Sequence, residues 1–335
     1  MKSRRINVIY ADNGSGLSRD AVVMNEALTL AGHRVWLTPR PPRRFPLAVN
    51  YAPELARQAL RCTTQKVVKA WARRTRFWDV NIFLESLVPE YFECARVNCL
   101  LPNEEWLTDG DRKLMGAIDL VLFKTRHARQ VLESETKESA FIGFTSLDRR
   151  DCRVAPRWNA ALHVSGWNPL KGTAAVTQAW ARHPEWPRVT LVTQHKAMPP
   201  HGPNIDVITR RISDRQLRQL QNACAVNVCP SEVEGFGHTL MEALSCGSVI
   251  VTTDAPPMDE LVSAEEGFLV PHTASVPSRA GTPYFVDVDG LADVLARVWT
   301  DGASELRCRR SAARAKYERM TESFHYRFAQ VMQGV

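Results

Sequence analysis

Pro230-Ser231-Glu232-Val233-Glu234-Gly235-Phe236-Gly237-His238-Thr239-Leu240-Met241-Glu242-Ala243-Leu244-Ser245-Cys246-Gly247 follows the apolar run Ala225–Cys229 and precedes a second one, Val249–Thr253. Short apolar runs of this kind read as parallel strands, and His238 to Cys246, closed by Gly247, reads as the helix joining them. The loop ahead of the helix therefore leaves the carboxyl edge of a sheet, where open α/β folds bind ligands. Gly235 and Gly237 let the backbone come close to a ligand. The helix directs its first N–H groups and the positive end of its dipole at the same place, which suits a diphosphate. Two carboxylates bracket the loop: Glu234 before it and Glu242 in the first turns of the helix. A carboxylate accepts hydrogen bonds from paired hydroxyls, so one can hold a sugar and the other a ribose.

The same grammar runs upstream. A series starting near Asn159 reads as strand Ala160–Val164, loop Ser165–Leu170, helix from Lys171, strands Val189–Thr193 and Ile205–Ile208, and helix Asp214–Asn222. Near the start, strand Ile6–Tyr10 leads into the loop Asp12-Asn13-Gly14-Ser15-Gly16, a helix carrying Val23, Met24, Ala27 and Leu28, and a strand from Arg34 to Leu37. This order opens a doubly wound domain. Val80–Leu84, Val97–Leu101, Leu120–Phe123 and Ser139–Ile142 are its further strands, Pro39–Pro46 reads as a loop, and Ala52–Arg76 as a helix with a basic face. Tyr317, Met320, Phe324, Phe328 and Val331 make one apolar stripe on a terminal helix.

The length of 335 residues suits two domains. No run approaches the roughly 20 apolar residues that span a bilayer, and Met1 to Arg5 lead into a short strand, not a signal-peptide core, so a cytoplasmic location is expected. The eight cysteines include no Cys-x-x-Cys pair, which favours reduced thiols over a zinc site. The net charge of +7 is concentrated. Between Arg34 and Trp78 stand eleven Lys/Arg against the single acid Glu54.

Glu234-x7-Glu242 within Pro-Ser-x-x-Glu-Gly-Phe-Gly resembles the motif of glycosyltransferase family four, retaining enzymes of the GT-B fold. The likeness runs from about Ile208 to Val270, through Ser248–Asp254 and Glu266–Val270. It implies an α/β GT-B architecture: two Rossmann-like, doubly wound domains facing a cleft, with the C-terminal helix crossing back to the N-terminal domain. The expected division is an acceptor-side domain over 1–157, a nucleotide-sugar domain over 158–315, and the helix 316–335. Glu234 would contact the transferred sugar, backbone N–H groups from Phe236 to Thr239, including His238, would face sugar and diphosphate, and Glu242 would hold the ribose. Ser165-Gly166-Trp167-Asn168-Pro169-Leu170-Lys171-Gly172 is similar to the family's Lys-Gly loop, whose lysine meets the diphosphate. Trp167 stands where the family has an arginine, and Arg210 or Arg211 is read as supplying that charge. Gly14 and Gly16 match the glycine loop of the other domain.

The resemblance implies transfer with retention, the departing diphosphate taking the acceptor's proton, so Lys171 and Glu234 are the expected catalytic pair. The co-substrate is a UDP- or GDP-sugar, and no cofactor or metal is expected. Asp109-Gly110-Asp111 and Asp287-Val288-Asp289 resemble the metal dyad of the other major transferase fold, but neither follows a strand in the way that fold needs, and the first fits a helix start. For the acceptor, Glu104 and His127 follow strands, and Arg73, Arg74 and Arg76 belong to the basic segment with Trp71 and Trp78. The segment fits an amphipathic helix on the inner face of an anionic membrane, meeting a lipid-linked or cell-surface glycan precursor. It also fits a nucleic-acid groove, with a hydroxylated DNA base as acceptor, and a solvated face with no ligand. A non-catalytic module binding a sugar nucleotide is the reading from another class.

Overall fold

A computed structural model describes residues 3–40, 67, 69–194, 202–276 and 282–335. These form two compact units, the first comprising Met1–Lys124, Ala128–Ile142 and His325–Val335, the second Thr125–His127 and Gly143–Phe324. Each is built on a six-stranded parallel sheet, and together they are the two Rossmann-like domains of the GT-B fold.

In the first unit the strands are β1 (Arg5–Ala11), β2 (Arg34–Arg40), β3 (Trp78–Leu84), β4 (Ala95–Leu101), β5 (Leu120–Phe123) and β6 (Ser139–Phe141), in the order β2-β1-β3-β4-β5-β6. The order reverses beside β1, so the loop that follows it, Asp12 to Gly16, lies at a switch point. A ladder of buried amides pins the register: Asn7 Nδ2 donates to Asn81 Oδ1 at 3.2 Å, and Asn81 Nδ2 to Asn98 Oδ1 at 2.9 Å. Thr38 Oγ1 extends it by donating to Asn7 Oδ1 at 2.6 Å. A one-residue slip would orphan every member, at about 1–3 kcal/mol each. β2 runs on through Pro39 to Arg40, beyond the loop start that its prolines suggest. The proline is accommodated because β2 is an edge strand, where a missing N–H costs no ladder bond. Pro41–Pro46, Ala52–Lys66 and the basic residues Arg43, Arg44, Arg57, Arg61 and Lys66 lie outside the described residues. Of the basic helix, residues 69–75 are described as helical.

The second unit holds β7 (Arg157–Gly166), β8 (Arg188–Thr193), β9 (Ile205–Ile208), β10 (Cys224–Cys229), β11 (Val249–Thr253) and β12 (Gly267–Val270), in the order β12-β11-β10-β7-β8-β9. The chain winds one way from β7 to β9, then returns to lay β10 on the other side of β7. The loops after β7 and β10 thus flank the topological switch point, the crevice where doubly wound sheets hold ligands. The core under these strands joins Val226, Val228, Val249 and Val251 to Trp180 and to Leu291 and Leu295 of the helix Val288–Thr300.

The final helix spans Ala303–Gly334, longer than its apolar stripe suggests. Its buried positions are Leu306, Ala313, Tyr317, Phe324, Phe328 and Met332, so Met332 takes the place expected of Val331. Among the described residues no helix is long and apolar enough to cross a membrane.

Candidate active site

Lys171 and Glu234 meet at the switch point of the second sheet, where the Lys171 ammonium and the Glu234 carboxylate form a largely buried ion pair. Their loops are stitched together by backbone as well. Glu232 N–H donates to Leu170 O at 2.9 Å, and Gly172, at φ +67°, lies so close to Pro230 that any Cβ would overlap the Pro230 carbonyl. Only glycine satisfies both conditions. Asn168 Oδ1 accepts from Leu170 N–H at 2.9 Å, shaping the turn that presents Lys171.

The turn after β10 is held from β11. Thr252 Oγ1 donates to Cys229 O at 2.9 Å and Thr253 Oγ1 to Ser231 O at 2.7 Å. The helix His238–Cys246 then starts on Gly237, whose φ of +102° excludes most side chains and whose missing Cβ would lie 2.9 Å from Leu261 Cδ1. Its first intrahelical bonds run from Leu240 and Met241 back to Gly237 O, so the dipole end opens toward the loop carrying Glu234. Phe236 anchors the loop from below, buried edge-on against Phe144, with ring centroids 5.2 Å apart. His238 Nδ1 lies 2.9 Å from Ser146 Oγ. Glu242 is buried one turn into the helix, its Oε2 accepting from Gln221 Nε2 at 2.6 Å.

His163 on β7 has no place in the motif, yet it ties the two loops' supports together. Its Nδ1 lies 2.8 Å from Val228 O, an acceptor only, so the proton sits on Nδ1 and Nε2 accepts from Thr173 Oγ1 at 2.9 Å. Burial above all pushes the ring down to about 4 from its usual 6.5. Below pH 6.5 the unfolded chain binds a proton that the folded ring refuses, so stability falls as pH drops from about 6.5 to about 4. The loss is roughly 3 kcal/mol across that window. His163→Asn is expected to flatten this part of the stability profile. Urea unfolding of parent and variant from pH 7 to pH 4 checks it, and parallel profiles would contradict it.

Trp167 and Gly166 lie on the Lys171 loop, Gly166 at φ +58° and Trp167 71% exposed. Arg210 and Arg211 are exposed and follow the edge strand β9, with β8 between it and β7. The backbone N–H groups of Arg126 and His127 donate to the Glu260 carboxylate at 2.8 and 2.7 Å, and burial lowers the His127 ring's pKa. The acidic dyads do other work. Asp111 completes a capping box with Thr108, which is the cap in place of Asp109. Asp287 caps the helix Val288–Thr300, and Asp289 pairs with Arg182. Among the described residues no three His, Cys, Asp or Glu side chains gather as a metal site.

The first unit carries its own polar edge. Gly14, at φ +63°, donates its N–H to Ser18 Oγ at 2.8 Å, and the direction of a Cβ at Gly16 is open. After the carboxyl ends of β3, β4 and β5 come Glu85, Asn103 with Glu104, and Lys124. Lys124 Nζ pairs with Asp20 at 3.1 Å and also donates to Asn103, whose Nδ2 donates to Glu85 Oε2 at 3.0 Å. Glu104 is buried, and burial raises the pKa of Glu85 and, more strongly, that of Glu105. Arg73 pairs with Glu93, Arg74 and Arg76 are exposed, and Trp71 between them and residue 69 is 51% exposed.

Two doubly wound, Rossmann-like units are the GT-B architecture, and the second holds Lys171 and Glu234 on the loops at its switch point and Glu242 on the helix that follows. Residues 203–278 match the family model described as "Glycosyl transferases group 1". No curated protein matches the sequence. Among solved structures, a glycosyltransferase from Rickettsia africae aligns at 12% identity and TM-score 0.72, covering 99% of this chain and 98% of that one. Anabaena HepE in complex with UDP-glucose aligns at 13% and 0.71, covering 99% and 100%. Sucrose-phosphate synthase from Thermosynechococcus elongatus aligns at 14% and 0.69, covering 99% and 98%. The chain is thus similar to group 1 glycosyltransferases, by sequence in the matched stretch and by fold throughout.

Proposed function

We propose that this chain transfers a sugar from a nucleoside diphosphate sugar to a hydroxyl acceptor, with retention and without a metal. The observation that carries the reading is the Lys171–Glu234 pair at the switch point, beside the helix that bears Glu242. In the proposed step the bond from the sugar's anomeric carbon to the diphosphate breaks and the bond to the acceptor oxygen forms on the same face. The acceptor's proton passes to the departing phosphate oxygen. Charge builds on that oxygen, where Lys171 and the helix N-terminus stabilise it, while Glu234 holds the sugar's hydroxyls and faces the developing positive charge on the ring. Glu242 holds the ribose. Uridine is the proposed nucleotide, supported by the UDP-glucose bound to the similar HepE fold. Release of UDP from UDP-glucose in EDTA tests the reading. Turnover that needs added magnesium or manganese would overturn metal independence, and nucleotide-sugar binding without any turnover would favour a non-catalytic module.

For the acceptor we propose a lipid-linked or cell-surface glycan precursor at the inner face of the membrane, on a soluble, cytoplasmic, peripherally attached protein. The support is the basic segment with exposed Trp71, on the unit that does not carry the donor motif. Replacing Arg73, Arg74 and Arg76 together by Gln is expected to leave UDP-glucose affinity within twofold and to weaken binding to anionic vesicles at least tenfold. Loss of duplex DNA binding instead, with the slope of log affinity against log salt falling by roughly three, would assign a modified base as acceptor. Unchanged binding to both makes the cluster a solvated face.

A further inference from the structure

Glu242 does not stand alone in the helix that carries it. Its Oε2 accepts from Gln221 Nε2 at 2.6 Å, and Gln221 Oε1 accepts from Arg149 Nε at 2.9 Å. A guanidinium has donors only, so the oxygen of the Gln221 amide must face Arg149 and its nitrogen must face Glu242. Arg149 is itself clamped. Its Nη1 reaches both carboxylate oxygens of Asp214 at 2.8 and 2.9 Å, its Nη2 donates to Asp214 O at 3.0 Å, and its N–H donates to Ser245 Oγ at 2.9 Å. Ser245 Oγ closes the circuit by donating to Glu242 O at 2.7 Å. The residues Arg149, Gln221 and Glu242 are 4%, 2% and 1% exposed, so water does not compete for these bonds.

Resting on the donor-site reading above, we infer that Gln221 is the positioning residue for Glu242. Arg149 sets the amide, and the amide sets the plane of the carboxylate that meets the nucleotide's ribose. A carboxylate free to rotate would lose that preorganisation when the ribose arrives. The wiring also explains a buried arginine that the sequence motif does not contain: its outer charge is matched by Asp214, and its inner edge is spent on one amide oxygen.

The experiment is titration of UDP in EDTA into the parent, Glu242→Gln, Gln221→Leu and Gln221→Glu, from pH 5 to pH 9, with each fold checked by far-UV circular dichroism. Gln221→Leu is expected to weaken UDP binding about tenfold to a hundredfold, as when a hydrogen bond to a buried charge is lost. Turnover of saturating UDP-glucose should change far less. Gln221→Glu is the isosteric variant that a merely structural role would not single out. Two carboxylates in hydrogen-bond contact cannot both be ionised at low cost, so UDP binding by this variant should be weak at high pH. It should recover as pH falls and the shared proton restores a donor to Glu242. The other ionisable groups around the site include Arg149, Asp214 and Arg218, and Cys229 and Cys246, whose thiols burial pushes up to about 12. Both Gln221 variants binding UDP within twofold of the parent at every pH, while Glu242→Gln loses it, would overturn the inference alone. A parent that does not bind UDP, or a Glu242→Gln that binds as the parent does, would overturn the donor-site reading and this inference with it.

Discussion

Lys171→Met is expected to lower kcat/KM for the sugar donor by a factor of about 10² to 10³, the usual cost of deleting one donor aimed at a developing oxyanion. Both loops at the switch point are built to present this ammonium: Gly172 seats the turn against Pro230, Asn168 shapes it, and His163 holds the start of the helix behind it through Thr173. The ammonium is held by Glu234, and in the proposed reaction the diphosphate departs beside it. The variant loses that charge and leaves Glu234 largely buried without its partner, and both effects act against departure of the diphosphate. Lys171→Arg keeps the charge and is expected to recover part of the loss. Steady-state kinetics of UDP-glucose cleavage decide it; a fall of less than threefold for Lys171→Met would remove Lys171 from the step.

Glu234→Gln and Glu242→Gln are expected to part company in the same assay. In the proposed reaction Glu234 meets the sugar whose ring gains positive charge in the transition state, so its neutralisation should cut kcat by about a hundredfold or more with KM little changed. In the same proposal Glu242 holds the nucleotide equally in ground and transition states, so its neutralisation should raise donor KM by about tenfold to a hundredfold with kcat nearly preserved. The two carboxylates differ in structure in the way this requires: one pairs with Lys171, the other with the Gln221 amide. Equal shifts in both parameters for both variants would refute the division of labour.

The candidate site on the second unit was legible because its requirements are local. A strand, a glycine-bearing turn and a helix start are written in adjacent residues, and each of Gly172, Gly237 and Gly247 occupies a positive-φ position that few other residues could adopt. The strands were legible for the same reason, with ends drawn short where a polar residue such as Arg157 or Arg188 extends a ladder into solvent. Contacts between distant segments were not. Arg149, Gln221 and Glu242 are far apart in sequence, and nothing in the spacing of Gln221 on its helix marks it as buried. His163 had a readable signal, a lone histidine inside the otherwise apolar run Ala160–Val164, which a buried parallel strand tolerates only with both ring nitrogens bonded. The polar edge of the first unit was half visible: Glu104 and Lys124 follow strands, but their joining through Asn103 to Glu85 and Asp20 depends on which strands lie side by side. Met332 displaced Val331 from the terminal stripe because a 3.6-residue period drifts away from any fixed spacing of three.

The most direct test of the central claim, that the second unit binds and activates a nucleotide sugar through Lys171, Glu234 and Glu242, is thermal unfolding of the parent and of Glu242→Gln in EDTA with increasing UDP-glucose. A ligand that binds only the folded state at a hundred times its Kd adds about 2.7 kcal/mol of stability. The parent's Tm should therefore climb by several degrees with UDP-glucose, the variant should need about tenfold to a hundredfold more UDP-glucose for the same climb, and UDP should accumulate in the parent's sample. A parent Tm that stays flat with UDP-glucose and with every other UDP- or GDP-sugar tried, or that rises equally in Glu242→Gln, would contradict the account.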